Sequence, residues 1–144
     1  MNLTSTSVSL SFLANFLVTP RPIYHTLSQY CVTSSWRRRW HGLTITQAII
    51  LCVIHRQPYP LFCFLVSLLT VLRLDKHPTL HYSGAVLFIL LSYRRFTTRQ
   101  IVVHLLFLFE FIFHMTQSRP VNRFIAYYLE CALFQYSIHR LLQE

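Results

Sequence analysis

The chain is 144 residues long, enough for a single domain, with 53% hydrophobic residues and only 12% charged ones, about half the charged share of an ordinary soluble domain. Such a balance argues against a water-facing monomer, whose surface would have to be built from Ser, Thr, His, Gln and Tyr. Twelve Arg and one Lys face one Asp and three Glu, a net charge of +9 that draws the chain towards phosphate on anionic lipid or on nucleic acid.

Residues 1–40 form a Ser/Thr-rich segment expected to be poorly ordered; Pro20 and Pro22 interrupt it. From Ser7 to Phe12 serines alternate with Val8, Leu10 and Phe12, a period of two that predicts an exposed strand or no stable element. The segment ends in Trp36-Arg37-Arg38-Arg39-Trp40. Indoles beside guanidinium groups suit the head-group zone of a bilayer, and the same residues are able to stack on bases and pair with nucleic-acid phosphates.

Residues 41–118 read as a hydrophobic helical region embedded in a membrane. A first helix is predicted over Leu43–Ile54, stopped near Arg56, Pro58 and Pro60 because proline breaks a helical run. Leu61–Leu72 follows, with Ser67 and Thr70 placed to bond their own helix carbonyls. After a break at Arg73, Asp75, Lys76 and Pro78, a third helix spans Thr79–Tyr93, with Gly84 as its weak spot. The basic turn 94–99 leads into a fourth, Ile101–Met115, expected to fold back on the third as a hairpin. Phenylalanines at 107, 109, 111 and 113 leave a strand as the alternative for this last run.

Residues 119–144 read as an amphipathic helix started by Pro120. Phe124, Tyr128, Cys131, Phe134, Ile138 and Leu141 recur at helical spacing, with Arg123, Glu130, Ser137 and Arg140 on the other side. Such a helix lies in the membrane interface or packs on the others.

The fold class expected is therefore all-α: a small helical membrane protein with about two to four short hydrophobic helices and a C-terminal amphipathic helix. The uncharged runs 40–55, 57–72 and 77–93 are 16, 16 and 17 residues long, and the run 100–118 is interrupted by Glu110. Each is short against the roughly 20 residues that cross a bilayer. Arginines at nearly every boundary remove the charge asymmetry that orients multi-pass proteins.

Glu110 and His114, four residues apart on one helix face, are the candidate functional polar pair within the membrane region; His104 falls off that face. Arg37, Arg38, Arg39, Arg94, Arg95 and Arg99 are the candidate contacts to head groups or phosphate. With Gly42 and Gly84 the only glycines, neither a phosphate loop nor a dinucleotide fingerprint can be built, and no nucleophile motif or acidic pair is present. Cys31, Cys52, Cys63 and Cys131 lack metal or disulfide spacing and read as buried thiols. No catalytic activity and no cofactor are expected; the expected partners are the lipid bilayer and a second membrane protein, ahead of nucleic acid. The scarcity of Gly, Glu, Lys and Ala also fits an antisense or overlapping frame never selected for function.

Overall fold

The computed structural model describes residues 3–143, and within them all regular structure is helical. Seven α-helices follow one another: α1 Leu3–Leu17, α2 Leu27–Thr33, α3 Ser35–Ile54, α4 Pro58–Ser67, α5 Pro78–Ser92, α6 Thr98–Met115 and α7 Pro120–Leu142. Short 3₁₀ turns, Leu68–Val71 and Tyr93–Arg95, extend α4 and α5.

Local chemistry sets most helix starts. Proline occupies the first turn of α4, α5 and α7, where its missing N–H has no helical partner to lose. Thr26 and Thr97 form capping boxes with Gln29 and Gln100, each hydroxyl accepting from the third backbone N–H while the glutamine side chain reaches back. At the end of α3, Arg56 takes the left-handed conformation, φ 52°, and Gln57 N–H donates to Cys52 O at 2.9 Å, closing the helix by a geometry that usually employs glycine.

The N-terminal expectation is overturned. Residues 7–12 lie inside α1, where Val8 and Phe12, four apart, share one helical face and are both buried. Burying that pair outweighs the alternation with serine, so residues 3–33 are part of the bundle and not a loose tail. The Trp36–Trp40 cluster is likewise helical, forming the opening turns of a helix that begins eight residues before the expected Leu43.

At the centre, α7 packs against α1, α2, α5 and α6, and α3 packs against α1, α2 and α4. Val8, Phe12, Cys31, Ala48, Cys63, Phe64, Phe88, Tyr127 and Cys131 meet in the core. Because α7 is covered on several sides, its expected polar side is not free: Glu130 and Ser137 are buried, whereas Phe124 is exposed. The expected α5–α6 hairpin does not form either; α6 lies along α7 and has no comparable packing with any other helix.

Among the described residues a single helix, α6, is both long and apolar enough to cross a bilayer. The other helices lend the two-to-four-span expectation no support: α4 has 10 residues and α5 has 15, and α3, though 20 long, carries Arg37, Arg38 and Arg39. Prolines set where α4 and α5 begin, and within the run 57–72 the 3₁₀ turn Leu68–Val71 shortens the α-helix further.

Candidate functional site

Within α6, His104 is the one buried residue, and the helix adds nothing to the hydrophobic core. Successive residues turn by about 100°, so Val102, Leu106, Phe109 and Phe113 fall within a stripe about 60° wide, opposite His104. All four are exposed, Phe109 to 69%. The helix is thus inverted relative to a soluble bundle, with its imidazole inside and its Leu and Phe outside.

His104 is held from both sides. Its Nε2–H donates to Leu133 O on α7 at 3.0 Å, since a carbonyl only accepts, and its Nδ1 takes the Tyr93 hydroxyl proton at 2.7 Å. Phe96 and Tyr136 close around the ring at centroid separations of 5.3 and 6.4 Å. This polar peg fixes which face of α6 looks outward. Leu108, Phe111 and Met115, on the same side as His104, turn inward without being fully buried.

Glu110 and His114 do meet: Oε2 and Nε2 are 3.5 Å apart, and Asn122 Nδ2–H donates to His114 Nδ1 at 2.7 Å. The Glu110 side chain is 63% exposed. Together with Arg99 it sits about 60° to one side of the apolar stripe, near the helix flank and not at the centre of the exposed face. Among the described residues no three His, Cys, Asp or Glu side chains gather in a metal-binding group.

The six candidate arginines divide. Arg37 is buried, donating to Thr19 Oγ1, Val18 O and Tyr127 Oη, with its guanidinium stacked on Tyr30 and Trp36 at 4.9 and 5.0 Å. It ties α3 to α7 and to the segment after α1, and so is turned away from any phosphate. Arg95 is also engaged, donating to Gln143 O at 3.2 Å. Arg39, Arg94 and Arg99 are exposed, Arg94 lying 4.6 Å over the Tyr59 ring, while Arg38 is half-buried. Arg99 and Arg119 thus bracket α6 with exposed cations.

The same inversion runs through the bundle. Asn15, Thr19, Thr44, Ser67, His81, Ser92 and Ser137 are buried, while Ile50, Val53, Ile54, Phe62, Leu65, Leu87 and Leu90 are exposed. Helices are joined by polar contacts such as Ser92 Oγ–H to Ser137 Oγ at 3.1 Å and Tyr128 O–H to Thr19 O at 2.8 Å. Ser67 and Thr70 bond carbonyls three residues back, each at 2.6 Å. All four cysteines are buried free thiols, and burial pushes the Cys31 thiol up to about 12, far from reactivity.

Two polar groups escaped the sequence reading. Glu130 is buried with its Oε1 accepting from Leu27 N–H at 3.1 Å, and desolvation pushes its carboxyl up to about 8. His41 donates from Nε2 to Thr70 Oγ1 at 2.8 Å, the hydroxyl proton being spent on Ser67 O, and burial followed by the nearby His81 lowers it to about 4. The one sequence signal for Glu130 is an acid between Leu129 and Cys131 in a chain that has only four acids. Compared with known proteins, the chain matches no family model, and no similar curated protein or solved structure was found.

Proposed function

We propose that this chain is a membrane protein held to the bilayer by α6, and that it acts through helix packing and contact with a membrane partner and not through catalysis. The carrying observation is the inversion of α6: His104 inside, and Val102, Leu106, Phe109 and Phe113 outside. In water that stripe is a standing cost; in acyl chains it is a gain. Four roughly half-exposed aliphatic and aromatic side chains contribute about 3–6 kcal/mol on entering hydrocarbon, from about 1.5–3 kcal/mol for each complete burial. Arg99 and Arg119 at the two ends add about 1 kcal/mol each on an anionic surface.

The helix lies along the membrane plane in this reading. An exposed Glu110 beside the stripe is tolerated at the interface and expensive in mid-bilayer, and an in-plane helix leaves Arg99 and Arg119 at the same leaflet. Flotation with vesicles of phosphatidylcholine and phosphatidylserine tests the attachment. The wild-type chain floats, and the double variant Leu106→Asp, Phe109→Asp loses at least tenfold in bound fraction; equal flotation of both refutes the role of α6. Single cysteines at 99 and 119, on vesicles with the protein added outside, should both react with an impermeant maleimide, the native thiols being buried. Reaction at one end alone would mean that the helix crosses.

A further inference from the structure

Where α5 and α6 fail to pack, they leave a cavity of about 200 Å³. Ile89 and Leu90 of α5, Leu108 and Phe111 of α6, and Leu133 and Phe134 of α7 form much of its wall. Few polar groups reach it, and most of those are already paired. His81 donates from Nδ1 to Leu72 O at 2.9 Å and accepts at Nε2 from the Ser28 hydroxyl at 2.7 Å. His41 gives its Nε2 proton to Thr70, while its Nδ1 has no partner but is fully buried and so shut off from the cavity. Glu130 differs in offering an unpaired oxygen that is not sealed off in this way. It lines the cavity and is 8% exposed, and beyond the Leu27 N–H on Oε1 it makes no hydrogen bond among the described residues. Oε2 is therefore a free polar atom at a mostly apolar wall.

We propose that the gap between α5 and α6 binds a neutral, mostly hydrocarbon molecule of about ten carbons, whose single carbonyl or hydroxyl oxygen accepts a hydrogen bond from Glu130 Oε2–H. The size follows from scale, since a dry apolar cavity of about 150 Å³ takes up benzene and this one is larger by about a third. Ligand polarity follows from the wall. Burial keeps the Glu130 carboxyl protonated at neutral pH, so Oε2 donates. No cation lines the cavity to receive a carboxylate ligand, and an ammonium ligand would have to be stripped of water and would require Glu130 to ionise. A water at Oε2 would find few further partners on so apolar a wall, which favours a ligand bringing both an oxygen and a hydrocarbon body. The inference is independent of how α6 meets the membrane.

The test compares 1-tetralone with tetralin, the same ten-carbon frame without oxygen, and with 1-aminotetralin, its cation. Dissociation constants come from ligand-observed NMR on the full chain, in buffer in one arm and on phosphatidylcholine vesicles preloaded with probe in the other; the arm in which binding occurs tells whether the ligand arrives from water or from the bilayer. Tetralone should bind about tenfold tighter than tetralin and tighter than the amine. In Glu130→Leu the tetralone advantage should vanish while tetralin still binds, and Ala85→Phe, which fills the cavity from α5, should abolish both. Equal affinity for tetralone and tetralin in the wild-type chain overturns the role of Glu130, and a preference for the amine overturns the neutral ligand. No binding of any probe in either arm, or binding untouched by Ala85→Phe in a chain of unchanged helix content, overturns the site.

Discussion

Replacing Glu130 by Gln should make the protein more stable, and increasingly so as pH rises. In the folded chain the carboxyl is buried against the Leu27 N–H and titrates at about 8, against 4.5 for the free group. Between those values the native state holds a proton that the unfolded chain has released. The native state therefore binds more protons, and its stability falls by about 1.4 kcal/mol for each pH unit in that window. At pH 7 the interval traversed is about 2.5 units, a penalty of about 3 kcal/mol, which is absent near pH 4. Gln keeps the shape and can still accept from Leu27 N–H, yet never ionises. The thiols facing Glu130 do not share this window: Cys31 and Cys131 are pushed upward by burial. His41, lowered to about 4, acts in the opposite sense, its neutral burial adding stability as pH rises through the range between its folded value and 6.5. It is common to both proteins and cancels in their difference. Urea unfolding of wild type and Glu130→Gln at pH 4, 5.5 and 7 measures that difference directly. Near-equality at pH 4 opening to about 3 kcal/mol at pH 7 is expected. A gap independent of pH, or one that closes as pH rises, would refute the burial argument.

Three further substitutions probe the packing and the helix ends. A Cβ built on Gly84 overlaps Leu69 Cβ and comes within 3.3 Å of the Val66 carbonyl, so Gly84→Ala should cost about 1–3 kcal/mol in thermal or urea unfolding, although alanine is the better helix former. Arg56 is exposed and left-handed with φ 52°, so Arg56→Gly should raise stability by about 0.5–1 kcal/mol, seen as a higher denaturation midpoint. Thr97→Ala removes the hydroxyl that caps α6 at Gln100 N–H, 3.2 Å away, and should lower stability by about 1 kcal/mol, with faster amide exchange confined to the first turn of α6.

The helical class and most helix positions were legible in the residues, because local chemistry decides them. Pro58, Pro78 and Pro120 start helices that the proline pattern places within a few residues, and the capping boxes at Thr26 and Thr97 are readable as Thr-x-x-Gln. The pairing of Glu110 with His114 follows from a four-residue spacing. What the sequence alone could not decide was which face of each helix turns inward. On α1 the serine alternation imitates a strand until Val8 and Phe12 meet the core. On α7 the apolar periodicity points one way, but a central helix has neighbours on several sides, so Glu130 and Ser137 are buried and Phe124 is not. Gly84, a weak spot by propensity, is the point where α5 meets the turn after α4. The gap beside α6 exists because α6 follows α7 and not α5, a choice made by the His104 peg to Leu133 O, 29 residues away in sequence, and by no local signal. Helix formation depends on neighbours three or four residues away and is written into the chain; burial depends on which distant helices arrive alongside, and that is settled only by the tertiary structure.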